Sequence, residues 1–160
     1  MQRTATLERV DTNYDSDFAA WAGEQAVLLR DKRFAMADLE NIIEELEGLA
    51  KTERRALSSQ IGRVIEHLLK LIYSPARDPR QGWAETVTDA RRQIEDVLED
   101  SPSLRKSVDQ LVQRNVRTTA RGVARILRDY DELDRSTEVD LLAHSFTPEQ
   151  VLGDWFPPPR

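Results

Sequence analysis

The sequence predicts an all-α protein: a helical bundle of four main helices, one of them long and central, closed by a short C-terminal helical turn. Three observations predict it. From Asp38 to Tyr73, apolar residues recur at Leu39, Ile42, Ile43, Leu46, Leu49, Ala50, Leu57, Ile61, Val64, Ile65, Leu68 and Ile72, the three-and-four spacing of one helical face. No stretch shows the alternating, β-branched pattern of a half-buried strand. Glycine and proline are few, 6 and 7 in 160 residues, and charged residues are plentiful.

The elements follow in order. Residues 1–13 lack periodicity and are expected to form a loose arm, leaving residues 14–160 as a single helical domain. Asp15 or Ser16 can cap a first helix ending near Arg30, with Phe18, Trp21, Ala22, Leu28 and Leu29 facing inward. The central helix then runs to Tyr73, where Ser74-Pro75 stops it, because proline cannot continue the ladder. The segment ARDPRQG reads as a loop, followed by a third helix from Trp83 to Glu99. Ser101 suits an N-cap and Pro102 the first position of a fourth helix reaching Tyr130. Gly122 inside that helix suggests a close helix crossing. The charged DELDRSTEVD leads to a tail in which Thr147-Pro148-Glu149-Gln150 forms a capping box and Gly153 ends the turn. Trp155 and Phe156 then pin the terminus to the bundle.

An unbroken helix from Asp38 to Tyr73 would measure about 54 Å, against a radius of gyration of about 15 Å for a compact chain of this size. The helix therefore either bends near Gly48 or overhangs and finds a partner. A two-fold homodimer through this helix is the expectation.

The net charge of −6 argues against wholesale nucleic-acid binding. The absence of cysteine excludes disulfides and thiolate metal sites. No apolar segment near the N-terminus has the form of a signal peptide, and no apolar run approaches 18 residues, so neither secretion nor a membrane span is expected. A cytoplasmic protein is the expectation.

Four blocks carry a resemblance: YDSDFAAWAGEQAVLLR, ENIIEELEGLAKTERRALSSQIGRVIEHLLKL, the Trp83…Thr86…Arg91…EDSPSL block, and the closing FTPEQVLGDWFPP. Together, over roughly residues 14–157, they resemble a family of small bacterial proteins known as domain of unknown function number twenty-nine. The resemblance implies an all-α domain with no assigned activity, and hence no catalytic residues to carry across. The chain departs from that pattern at DELDRSTEVDLLAHSF, where the family has a more proline-rich linker.

Two sets of residues are candidates for chemistry. Arg114, Arg117, Arg121, Arg125 and Arg128 form a stripe opposite the apolar face of the fourth helix. From Ser103 to Arg128 there are seven basic residues and one acidic residue, a local charge of +6. Such a stripe can meet an acidic protein partner or track phosphates, but no aromatic interleaves with it to stack on bases. The competing explanation is that carboxylates of neighbouring helices or of a second copy answer it. The second set is Glu44, Glu45 and His67, the residue types of a metal site in a helical bundle. The diagnostic Glu-x-x-His spacing is missing, and 22 residues separate Glu45 from His67. A straight helix would hold them about 33 Å apart, so the set closes only across two antiparallel copies. A half-buried His67 bonded at the rim of the core is the plainer explanation. Neither serine-hydrolase nor phosphate-loop patterns are present, and no cofactor is expected. The functional expectation is a non-enzymatic protein-interaction or regulatory module, with a metal-dependent enzyme and a nucleic-acid or antitoxin-like binder as alternatives.

Overall fold

Six α-helices are present in the computed structural model, which describes residues 14–158: α1 Phe18–Arg30, α2 Leu39–Tyr73, α3 Arg80–Asp100, α4 Val108–Asp129, α5 Arg135–Ala143 and α6 Pro148–Leu152. Short 3-10 turns occupy Phe34–Met36 and Pro102–Ser107, and no strand occurs among the described residues. The arm expected over residues 1–13 lies outside the described residues. The all-α architecture with a long central helix is thus the one the periodicity predicts. The helical assignment of α2 continues through Gly48 without a break. The chain falls into two compact units, one ending at Ala50 and the other beginning at Lys51.

In the first unit α1 is capped by Asp17, whose side chain accepts from the Ala20 amide at 3.0 Å, and not by Asp15 or Ser16 as the sequence suggested. Trp21 and Leu28 are buried, whereas Phe18, expected to face inward, is 51% exposed. Phe18 stands in the first turn, where the Tyr14 and Trp21 rings flank it edge-on or tilted. α1 ends with Lys32 in the left-handed region at φ 58, and the Arg33 amide bonds back to the Leu28 carbonyl. At the start of α2, Asp38 accepts from the Asn41 amide and amide side chain and from the Trp21 indole. Its carboxyl lies below the usual aspartate range, chiefly through the Asn41 bond.

The second unit holds the large core. Leu57, Ile61, Val64, Ile65, Leu68 and Leu69 of α2 are wholly buried in one cluster with Val87, Ala90 and Ile94 of α3 and Val112, Val123 and Leu127 of α4. α3 begins at Arg80, three residues before the expected Trp83. Pro79 is already in the helical region, and the Arg80 guanidinium caps the end of α2, donating to the Leu71 carbonyl at 2.7 Å. Ser101 holds the N-cap position before Pro102 but makes no side-chain cap bond, and the α-helical ladder of α4 starts only at Val108.

Gly122 does not mark a crossing, since a Cβ there would meet nothing within 4 Å. The close approach is at Gly62, where a Cβ would lie 3.0 Å from Asn115 Oδ1. The charged linker contains a helix of its own, α5, capped by Asp134 through the Thr137 amide at 2.9 Å and anchored by the wholly buried Leu141. At α6 the expected capping box is present, with Thr147 and Gln150 bonding each other's backbone. Gly153 ends this turn with an ordinary negative φ. Glycine suits the position because a Cβ would approach the Glu149 carbonyl oxygen to 2.7 Å. Trp155 packs on the core and joins the Phe146 ring edge-on.

Candidate functional site

Two surfaces stand out, one in each unit. In the first, α2 presents Leu39, Ile43, Leu46 and Leu49 at 46, 57, 61 and 64% exposure. Their spacing keeps them on one face over almost three turns. On one side of α2, Glu45 is half-buried and accepts a hydrogen bond from the Tyr14 hydroxyl. That bond, aided by burial, pushes the tyrosine pKa up to about 12. Along the other edge run Glu40, Glu44 and Glu47, all exposed. Residues 39–50 contain four glutamates and no base, so an acidic border flanks this apolar face as far as Lys51. Sequence periodicity identified the stripe and gave a second copy as its expected cover. The acidic border was its visible signal.

In the second unit, Arg114, Arg117, Arg121, Arg125 and Arg128 are all exposed on α4, opposite its buried Val112, Val116, Val123 and Leu127. Only Arg128 meets a carboxylate, Glu138 of α5, at 3.5 Å. Among the described residues none lies within ion-pair distance of the other four. Among the described residues a neighbouring helix thus pairs with one of the five arginines, Arg128.

The other set the sequence offered, Glu44, Glu45 and His67, is divided between the two units. Glu44 is exposed, Glu45 is held by Tyr14, and both belong to the first unit, whereas His67 belongs to the second. No group of three or more histidine, aspartate or glutamate residues capable of holding a metal occurs among the described residues. His67 is half-buried, but its Nδ1 is buried without a hydrogen-bond partner among the described residues, unlike the bonded residue expected from sequence. Burial lowers its pKa, and Lys70 adds to the effect.

One further side chain, quoted above only within a block of the family resemblance, received no role from the sequence. Arg91, on the inner face of α3 between Val87 and Ile94, is 9% exposed and spans three carbonyls of the C-terminal segment. Its Nε donates to Val151 O at 2.9 Å, and its Nη2 donates to Gln150 O at 2.8 Å and Trp155 O at 2.7 Å. An arginine in phase with buried apolar neighbours was the available signal.

These features define a helical domain with exposed apolar and basic faces. The chain belongs to the family described as Domain of unknown function DUF29, whose model matches residues 13–156. No curated protein and no solved structure matches it. No helix among the described residues is long and apolar enough to cross a membrane.

Proposed function

We propose that the protein is an interaction module whose first unit docks a basic amphipathic helix of a partner protein along α2. The observation that carries this reading is the exposed Leu39–Ile43–Leu46–Leu49 face with its acidic border. Apolar anchors at i, i+4 and i+7 are how a helical face receives a helix. Completing the burial of four such side chains is worth on the order of 4 kcal/mol. Ordering and association consume that or more, so basic residues opposite Glu40 and Glu44 are needed to complete the affinity and select the partner. A second copy is the competing occupant, as the length of α2 first suggested. Self-pairing over residues 39–50 would set glutamates against glutamates, which disfavours it.

The test is binding of a leucine–lysine amphipathic helical peptide to the full chain, measured by anisotropy alongside light scattering. The expected result is saturable binding, abolished by Ile43→Asp and Leu46→Asp and retained when Arg121 and Arg125 are changed to Glu. Peptide binding indifferent to the α2 substitutions would contradict the proposal. A dimer mass lost in those variants would assign the face to a second copy instead.

The arginine stripe supports a second contact of the same functional class, with an acidic protein surface. Four uncompensated guanidiniums favour it, and the lack of interleaved aromatics weighs against nucleic acid. Retention on an acidic peptide, with none on single-stranded DNA at the same salt, is the expected result. DNA retention with a steep salt dependence would reverse the assignment.

A further inference from the structure

Arg91 poses an electrostatic problem that the fold alone does not resolve. The residue is 9% exposed, and no carboxylate lies within ion-pair distance of it among the described residues. Backbone carbonyls satisfy Nε and Nη2, and the Phe156 ring lies 4.9 Å from Cζ. Those are dipoles and a quadrupole, which stabilise a cation without neutralising it. Burial accordingly holds its pKa below the ordinary arginine value, while Asp154 works against that shift. Nη1 has no partner among the described residues.

Beside this side chain lies a cavity of about 580 Å³. Arg91, Arg92 and Arg105 line it from α3 and the 3-10 turn, against the carboxylates of Glu95 and Asp154. Ile94, Leu98, Leu152 and Phe156 supply an apolar wall. The volume falls in the range of small-molecule sites, and the lining combines a few charged groups with an apolar surface, as such sites do.

We infer that this cavity binds a small organic oxyanion, with a phosphate or carboxylate head between Arg91 and Arg105 and an apolar body against Leu98 and Phe156. Arg91 is the fixed donor, because three carbonyls hold its guanidinium plane and leave Nη1 to the ligand. Arg105 is exposed and free to close on the head. Arg92 is held in part by Asp89, at 3.7 Å, and tunes the field. The ligand would tie α3 to the segment that follows α6, since Arg91 grips both.

Three probes with one body and different heads test the inference on the full chain: phenyl phosphate, benzoate and the neutral benzamide. Calorimetric titration at millimolar ligand should show saturable binding of phenyl phosphate, benzoate or both, and none of benzamide. Which of the two anions binds identifies the head. Arg105→Ala, a change at an exposed residue, should weaken that binding about tenfold or more with an unchanged circular dichroism spectrum. Arg91→Lys, which keeps the charge but loses the fork, should weaken it as well. No saturable binding of either anion, equal binding of benzamide, or affinity unaltered by Arg105→Ala would each overturn the inference.

Discussion

The two halves of α2 carry the same periodic stripe and meet opposite fates. Leu57, Ile61, Ile65 and Leu68 are wholly buried, whereas Leu39, Ile43, Leu46 and Leu49 are about half or more exposed. The helical phase is shared, so periodicity does not separate them. The difference lies in what stands opposite. The second half faces apolar residues of α3, α4 and α5 in one cluster, while the exposed face of the first half has an acidic border. A hydrophobic stripe states that a face seeks cover, and it leaves open whether the chain supplies that cover itself.

The largest expected effect breaks the comparison at its buried end. Leu68→Ala should cost about 2–5 kcal/mol through lost burial and a residual cavity, whereas Leu46→Ala should change stability by about 0.5 kcal/mol or less. Urea midpoints of the two variants give the contrast directly. Equal losses would mean that both halves are covered.

Much of this was legible in the sequence. The length of α2, its stop at Ser74-Pro75, the burial of Ile65 and Leu68 and the Thr147–Gln150 capping box all rest on local patterns that tertiary contacts reinforce. What was not legible depended on partners distant in sequence. α5 was hidden because one buried leucine and an Asp134 cap form a weak periodic signal amid charges. Gly122 looked like a crossing, but glycine alone does not say what lies beside it, and the close contact belongs to Gly62 and Asn115. Of the candidate sites, the arginine stripe could be placed on one face from its spacing alone. That among the described residues only Arg128 meets a carboxylate could not, since that depends on where other helices end.

Glycines sharpen the account of the second unit. Gly153→Ala should be clearly destabilising, by about 1–3 kcal/mol, because its Cβ would collide with the Glu149 carbonyl rather than with a movable side chain. Gly122→Ala should instead stabilise the protein by up to about 1 kcal/mol, with open space at the Cβ and less freedom in the unfolded chain. Thermal melts decide both. A destabilised Gly122→Ala would restore the crossing that the sequence suggested.

A subtler test uses pH. His67 and His144 both have pKa values lowered by burial, and His144 also shares a hydrogen bond with the Tyr73 hydroxyl at 2.9 Å. The folded state thus favours the neutral rings, so the unfolded chain binds protons more readily. Stability should be full above the ordinary histidine value of about 6.5 and fall as pH drops through it, levelling off below the folded values. Denaturation midpoints between about pH 7 and 5 should show this decline, and His67→Gln with His144→Gln should flatten it. An undiminished slope in the double variant would assign it to carboxylates.

The most direct test is carbene footprinting of the full chain, read by mass spectrometry, with and without the leucine–lysine peptide. Leu39, Ile43, Leu46 and Leu49 should label strongly in the free protein and Leu57, Ile61, Ile65 and Leu68 little, with the first set alone protected when peptide is added. Equal, low labelling of both halves in the free protein, or peptide protection that spares residues 39–49, would contradict it.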